Sequence, residues 1–182
     1  AKSGSRFKHF AMTTHYPTET ATQWRRVHTP AGDILLARDA AGHITTTFDI
    51  QGLPCPNGQE NRRLLPDVAR WLSTMLNGHA GPPPTDLPDG PPFHRACWEA
   101  CRRIKPGHTR TYAQLATMAG RPAAARAAGT AMRTNPQPLL TPCHRIVSST
   151  GLGGFSGSTD PMGRWLHLKT HLLALESAAC IS

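Results

Sequence analysis

The stretch that most constrains this chain is "GPPPTDLPDGPP", residues 81–92, where six of twelve residues are proline. Each proline fixes its own φ and lacks an N–H, so neither a helix nor a central strand can run through such a segment. It reads as a linker, and the sequence on either side must be organised separately. Upstream, from Trp24, the pattern is that of strands. "RRVHT", "DILLARD" and "HITTTFDI" alternate apolar and polar positions and are separated by the turn signals "PAG" and "AAG". "PDVARWLSTMLNG" then sets Val68, Trp71, Leu72, Met75 and Leu76 at helical spacing, with Pro66 in the first turn and Asn77-Gly78 at the end. The first twenty-two residues read as a loose polar extension without an apolar signal core. The expected layout is α+β: an extension over 1–22, a sheet-plus-helix unit over 23–88 and a mainly helical unit over 89–182.

Downstream the period becomes helical. In "FHRACWEACRRI" the residues Phe93, Ala96, Cys97, Cys101 and Ile104 share one face. Cys97 and Cys101 lie four apart, but no second pair of ligands stands nearby at a zinc-like spacing, so they read as buried free thiols. "TYAQ" is a capping box, with Thr111 as cap and Gln114 reaching back. Gly120 is placed to end that helix, Pro122 to open the next, and Asn135-Pro136 to stop it, with asparagine suited to a left-handed cap. Two short helices joined by a glycine-containing turn carry a helix-turn-helix signature. The second, "AAARAAGTAMRT", consists mostly of small residues, with Arg126 and Arg133 seven apart on one face. Tight helix packing accounts for the alanines; a nucleic-acid groove accounts for the arginines as well.

Charge supports that second reading. Residues 1–90 are close to neutral, whereas residues 91–182 hold eleven Lys/Arg against three Asp/Glu. A basic half on a nearly neutral half fits a polyanionic partner. Five cysteines, an odd number with none in a CxxC pair, argue against a disulfide framework and for a reducing, intracellular setting. No run of eighteen apolar residues is present, so no membrane span is expected.

The chemistry concentrates in "LLTPCHRIVSSTGLGG", residues 139–154. A free thiol is only a few per cent thiolate near neutrality, so a nucleophilic Cys143 needs help in losing its proton. His144 is adjacent in sequence, and adjacent side chains diverge, which makes a relay through one water more natural than direct contact. A histidine base gains from a carboxylate that fixes its tautomer. Glu176, one turn beyond Leu172 near the apolar face of the last helix, is a candidate, although spacing alone does not pair it with His144.

The run "YAQLATMAGRPAAARAAGTAMRTNPQPLLTPCHRIVSSTGLGGFSG" resembles the methylated-DNA–protein-cysteine methyltransferases, also called O6-alkylguanine-DNA alkyltransferases. The likeness extends over most of residues 90–176, from "GPPFHRACWEACRRI" to "KTHLLALE". It implies an amino-terminal unit of RNase H-like layout and a Cys143–water–His144–Glu176 chain. It further implies that Tyr112 contacts a flipped guanine and assists its departure. Arg126 would fill the space left by the base, while Ala127, Ala128, Gly129, Thr130 and Arg133 would line the DNA-binding helix. Asn135 would tie the helix pair to the active-site strand, and Pro142 and Arg145 would support the turn. The carbonyls of Cys143 and Ile146 would receive the guanine amino group, and Phe155, Ser156 and Gly157 would border the pocket. The partner implied is duplex DNA carrying O6-alkylguanine, bound by a monomer in the minor groove without metal or small cofactor. A base alkylated at O6 must leave the stack before a thiolate can reach it. The thioether then formed has no easy hydrolysis, so each molecule would act once.

Three departures from the family pattern stand out. Thr141 replaces a β-branched aliphatic and brings a hydroxyl that needs a partner. Phe155 stands where tyrosine is common. "STDPMGRWLHL" lengthens the segment before Lys169, and its Arg164 and Trp165 read as extending the last helix. A lesion binder without chemistry would lack the cysteine, a Cys-His hydrolase would not carry the arginine-bearing helix pair, and a metal-dependent regulator would need a cysteine cluster in the amino half.

Overall fold

A computed structural model describes residues 20–49, 55–77, 81–155, 158 and 163–180. Nearly all of the amino-terminal extension, Ile50, Gly78, Ser156, Gly157 and residues 159–162 of the lengthened segment therefore lie outside the described residues.

Strands β1 (Ala21–Thr29), β2 (Gly32–Asp39) and β3 (Ile44–Phe48) form an antiparallel meander, and β4 (Gln59–Glu60) adds parallel to β1, giving the order β3-β2-β1-β4. β1 begins earlier than its alternation suggests. Ala21 and Thr22, assigned by sequence to the loose extension, belong to the strand, and Ala21 faces Asp39 across an irregularity in register. In β2 the consecutive residues Ile34, Leu35, Leu36 and Ala37 are all buried, so the middle of this strand is covered on both faces. One cover is α1 (Pro66–Thr74) with the 3-10 turn Met75–Asn77 that continues it. Val68, Leu72, Met75 and Leu76 pack there with Val27, Ile34, Leu36 and Phe48. That core also contains Leu139, Leu140, Phe155, Leu166 and Leu172, so residues from beyond the proline-rich connection complete it.

The second core lies among α2 (Pro92–Arg102), α3 (Tyr112–Met118) and α4 (Ala125–Arg133). Thr111 caps α3 in a complete capping box: its hydroxyl accepts from Gln114 N at 3.2 Å, and the Gln114 side chain accepts from Thr111 N at 2.8 Å. Gly120 follows the helix at φ 81°, where a Cβ would be strained. Pro122 does not open α4, which starts three residues later. The turn closed by Ala124 N to Arg121 O places Pro122 at its second position, which suits a fixed φ. Asn135 is not a left-handed cap either; outside glycine, only Leu65 and Leu139 have positive φ among the described residues. α4 ends at Thr134, and the Asn135 side chain is used elsewhere. α4 packs through Ala128, Ala131 and Met132, and Trp98 Nε1 donates to Ala131 O at 2.8 Å to fasten α2 to it.

The remaining elements frame the reactive segment. β5 (Arg110–Thr111) pairs in parallel with β6 (Ile146–Val147), and a 3-10 turn, Cys143–Arg145, leads directly into β6. α5 (Arg164–Ala179) packs Leu166 and Leu172 into the first core and runs behind the 3-10 turn Cys143–Arg145. Its buried face is Leu166, Lys169, Leu172 and Glu176, half of it ionisable. Among the described residues, no helix is long and apolar enough to cross a membrane.

Candidate active site

The approach to Cys143 is a tight loop. Thr141 N donates to Gln137 O at 2.7 Å, closing residues 137–141 around Leu139 at φ 69°, a conformation that costs a non-glycine residue on the order of 1 kcal/mol. The Thr141 carbonyl accepts from Asn135 Nδ2 at 2.8 Å and from Cys143 N at 2.8 Å. Asn135 Oδ1 accepts from Gln137 N at 3.0 Å, so the side chain just past the end of α4 spans both ends of the loop. The Thr141 hydroxyl, fully buried, accepts from Arg102 Nε at 3.2 Å.

Cys143 itself is half-buried, while His144, Arg145, Lys169 and Glu176 are buried. Glu176 is the hub. Its Oε1 lies 2.8 Å from His144 Nε2 and accepts from Arg145 Nη2 at 2.7 Å; its Oε2 accepts from Arg145 Nε at 3.0 Å and from Gly107 N at 3.3 Å. Arg145 Nη1 reaches Ile104 O at 2.6 Å, so each nitrogen of the guanidinium is engaged, by a carboxylate or by a carbonyl just past the end of α2. Gly107, at φ 73°, brings its backbone against the last turn of α5, where a Cβ would stand 2.7 Å from Cys180 Sγ. Burial alone would raise the Glu176 pKa, but the hydrogen bonds from His144 and Arg145 outweigh it and hold the carboxyl at about 2. Burial lowers the His144 pKa; Glu176 opposes this, and the cations of Arg145 and Lys169 reinforce it. The imidazole is therefore neutral near neutrality. With Nε2 donating to the carboxylate, Nδ1 is the basic nitrogen, and it is buried without a hydrogen-bond partner in the protein.

Burial pushes the Cys143 thiol up. The Asn135 side chain, the Lys169 cation and nearby backbone N–H groups pull it partly back. Lys169 is a buried cation at this site that the sequence reading did not single out. Its ammonium donates to the carbonyls of Ile146 at 2.6 Å, Leu152 at 2.7 Å and Gly154 at 3.1 Å, and burial brings its pKa down to about 8. It pins the glycine-rich segment to β6 and sets a positive charge near the thiol. Its signal was the spacing of Leu166, Lys169, Leu172 and Glu176 on one helical face. Tyr112, at the start of α3, donates from its hydroxyl to Gly154 O at 3.4 Å, and burial and then the Cys143 charge raise its pKa.

Other expected residues fall as follows. Arg126, Ala127, Thr130 and Arg133 are exposed on α4 and Gly129 is half-buried beside the Tyr112 ring, but Ala128 is wholly buried in the α2–α3–α4 core and cannot line a binding face. Pro142 is buried as the residue leading into the 3-10 turn. The Ile146 carbonyl is already engaged by Lys169, and that of Cys143 by Ile146 N, leaving one lone pair on each for any further donor. Phe155 is buried in the sheet core, where its ring meets Phe48 and Trp165 edge-on, with centroids 6.1 and 6.3 Å apart. Trp165 likewise packs inward from α5. Cys97 and Cys101 are buried free thiols; burial pushes the first to about 11 and the second well above its ordinary value. Among the described residues, no three His, Cys, Asp or Glu side chains are grouped to hold a metal ion.

Comparison with known proteins decides the lineage. The family described as 6-O-methylguanine DNA methyltransferase, DNA binding domain, matches residues 92–178. A methylated-DNA–protein-cysteine methyltransferase of Methanosarcina barkeri is 33% identical over 155 residues, covering 82% of this chain and 94% of its own. The chain belongs to the methylated-DNA–protein-cysteine methyltransferase family. A second member of the family, from Mycolicibacterium paratuberculosis, is 34% identical over 85% of this chain and 92% of its own. Among solved structures, the Mycobacterium tuberculosis OGT in complex with DNA matches with a TM-score of 0.69 and 26% identity, over 87% of this chain and 94% of that one. The mixed architecture of a small sheet and packed helices is thus the architecture of methyltransferases of this family.

Proposed function

We propose that the chain is a DNA repair protein that transfers the alkyl group of O6-alkylguanine in duplex DNA to its own Cys143, once per molecule. The observation that carries this reading is the base nitrogen of His144, the residue that follows the half-buried Cys143: neutral, oriented by an ionised Glu176, buried and unpartnered. The Cys143 proton passes through a bridging water to His144 Nδ1. The thiolate, favoured by the Lys169 charge, attacks the alkyl carbon; the new S–C bond forms as the C–O6 bond breaks. Guanine leaves with the electron pair on its oxygen and takes up a proton, with the Tyr112 hydroxyl as the positioned donor. The product thioether is stable to water, so the protein is consumed.

The target nucleotide must be turned out of the duplex to meet Cys143. α3 and α4 act as the helix-turn-helix that binds the minor groove, where Arg126 fills the vacated stack and Ala127, Gly129, Thr130 and Arg133 follow the backbone. On the same reading, residues 23–88 form a unit of RNase H-like layout that buttresses the site, residues 89–182 form the catalytic DNA-binding unit, and the protein works in an intracellular setting. Ser156 and Gly157 are assigned to the pocket rim.

The test is intact mass after mixing with a duplex bearing one O6-methylguanine, with peptide mapping of the adduct. One added methylene per chain, located on Cys143 and absent from Cys143→Ala, is expected. An unmodified chain that still retains the lesion duplex would overturn transfer in favour of a sensor.

A further inference from the structure

Arg102, the last residue of α2, has a place the methyl-transfer chemistry does not require. Its half-buried guanidinium forms no ion pair among the described residues; every partner is a neutral oxygen. Nη1 donates to Thr85 O at 2.8 Å, and Nη2 donates to Gln137 Oε1 at 2.7 Å, to Asp86 O at 3.2 Å and to Thr85 Oγ1 at 3.4 Å. Nε donates to Thr141 Oγ1 at 3.2 Å. Three parts of the molecule therefore meet on one planar group: the proline-rich connection, the start of the tight loop at Gln137 and its end at Thr141. Gln137 carries the link further, donating from Nε2 to Ile44 O of β3 at 2.7 Å.

The consequence for the reactive turn follows from the hydrogen-bond order. Thr141 O is the acceptor for Cys143 N, two residues before the turn that aims the thiol. A threonine held at its hydroxyl as well as at its backbone N–H and carbonyl has little freedom to rotate, whereas a valine of the same shape would keep the two backbone holds and lose the side-chain one. We propose that Arg102 is a positioning residue for Cys143, acting through the Thr141 hydroxyl to fix the carbonyl that seats the Cys143 N–H. This rests on Cys143 being the alkyl acceptor. It also gives the Thr141 hydroxyl a purpose: it is the grip by which a guanidinium anchored on the connection, and linked to β3 through Gln137, holds the loop. A fork of parallel donors suits that task, and a single ammonium does not.

The experiment is single-turnover methyl transfer from an O6-methylguanine duplex, with the saturated rate, the half-saturating duplex concentration and the melting temperature measured for each protein. Thr141→Val and Arg102→Met should each lower the saturated rate, the latter by about tenfold, because a displaced nucleophile loses rate rather than affinity. The half-saturating concentration should stay within about twofold of the parent, and the double variant should be no slower than Arg102→Met, since both changes break one link. Arg102→Lys should remain slow. Unchanged saturated rates, additive losses, or recovery in Arg102→Lys would overturn the proposal; recovery would mean that only the positive charge matters. A loss confined to duplex affinity, or one explained by the unfolded fraction, would overturn it too. Should Arg102→Met fail to fold, the Thr141→Val rate decides alone. Failure of the parent protein to take up methyl would refute the acceptor role of Cys143, whereas transfer by the parent with unaffected variants refutes only the part played by Arg102.

Discussion

The two buried regions of this molecule are made of different material. Under the sheet, α1 and β2 bury Ile34, Leu36, Val68, Leu72 and Met75 against one another, and nothing there needs a hydrogen bond beyond the backbone ladder. Behind the reactive turn, the fully enclosed side chains include His144, Lys169 and Glu176, with Arg145 almost so. The first region holds by area removed from water; the second holds only because each charge has found its partner, since a buried charge left alone is far costlier than a lost methyl group. Stability near Cys143 is therefore bound up with the chemistry, and stability under the sheet is not.

The sharpest way to break this contrast is Glu176→Gln. It leaves the Arg145 cation without its carboxylate and frees the His144 tautomer, and should cost about 4 kcal/mol of unfolding free energy together with most of the transfer rate. Acid should do the same gradually. Glu176 is held at about 2, below its ordinary value near about 4.3, so its contribution is complete above the higher figure and is lost as pH falls toward the lower. His144 has a lowered pKa, so the unfolded chain takes up that proton first and stability starts to fall as pH drops through about 6.5. Urea titrations across pH 3–8 should show a steep acid limb in the parent that is flatter in Glu176→Gln. Equal limbs would mean that the ion network contributes nothing to folding.

Leu72→Ala is the counterpart under the sheet. Leu72 is fully enclosed in the first core, and its truncation should cost about 3 kcal/mol through lost burial and the cavity left behind. The acid limb should keep its shape and merely move down. Transfer per folded molecule should be unchanged, which stopped-flow quench with a methylated duplex would check. A slower intrinsic rate would show that the sheet layer governs the thiol directly.

The same contrast explains what the sequence made legible. The meander and α1 follow from alternation and helical spacing because their burial is apolar, and the Thr111 capping box was readable because its two bonds are local. Lys169 escaped because hydropathy puts a lysine outside; only carbonyls contributed by Ile146, Leu152 and Gly154, brought together by the fold, make its burial tolerable. Ala128 was misplaced because an alanine-rich helix offers no periodic contrast between its packed and open faces. Phe155 was assigned to a pocket rim when the partners of its ring, Phe48 and Trp165, lie 107 and 10 residues away in sequence. Pro122 and Asn135 were read as helix punctuation, although a turn and a loop clamp claimed them.

Lys169→Met sharpens the comparison from inside the charged region, because it removes a cation that has no carboxylate partner of its own. Three carbonyls lose a donor, and the side chain no longer supports a thiolate at Cys143. We expect a loss of about 2 kcal/mol in stability, smaller than for Glu176→Gln because no opposite charge is stranded. The pH dependence of transfer should move to more alkaline values, since the Lys169 charge lowers the thiol pKa. A stability loss without that movement would confine Lys169 to holding the glycine-rich segment.

The smallest effect on folding belongs to the exposed face that neither buried region controls. Arg133 lies on the open side of α4, where its substitution removes no buried contact. Arg133→Gln should leave the unfolding free energy within about 0.5 kcal/mol of the parent. Its cost should appear instead in DNA binding: if the guanidinium neutralises one phosphate, the slope of log affinity against log salt should become shallower by about 0.9. The saturated transfer rate should stay the same, because a phosphate contact positions the duplex without touching the reacting atoms. Measuring affinity for an unmodified duplex between about 50 and 200 mM salt separates this from a contact to a base, which would alter the affinity and leave the slope alone. An unchanged slope together with unchanged affinity would place Arg133 outside the interface and leave the basic face of α4 to Arg126.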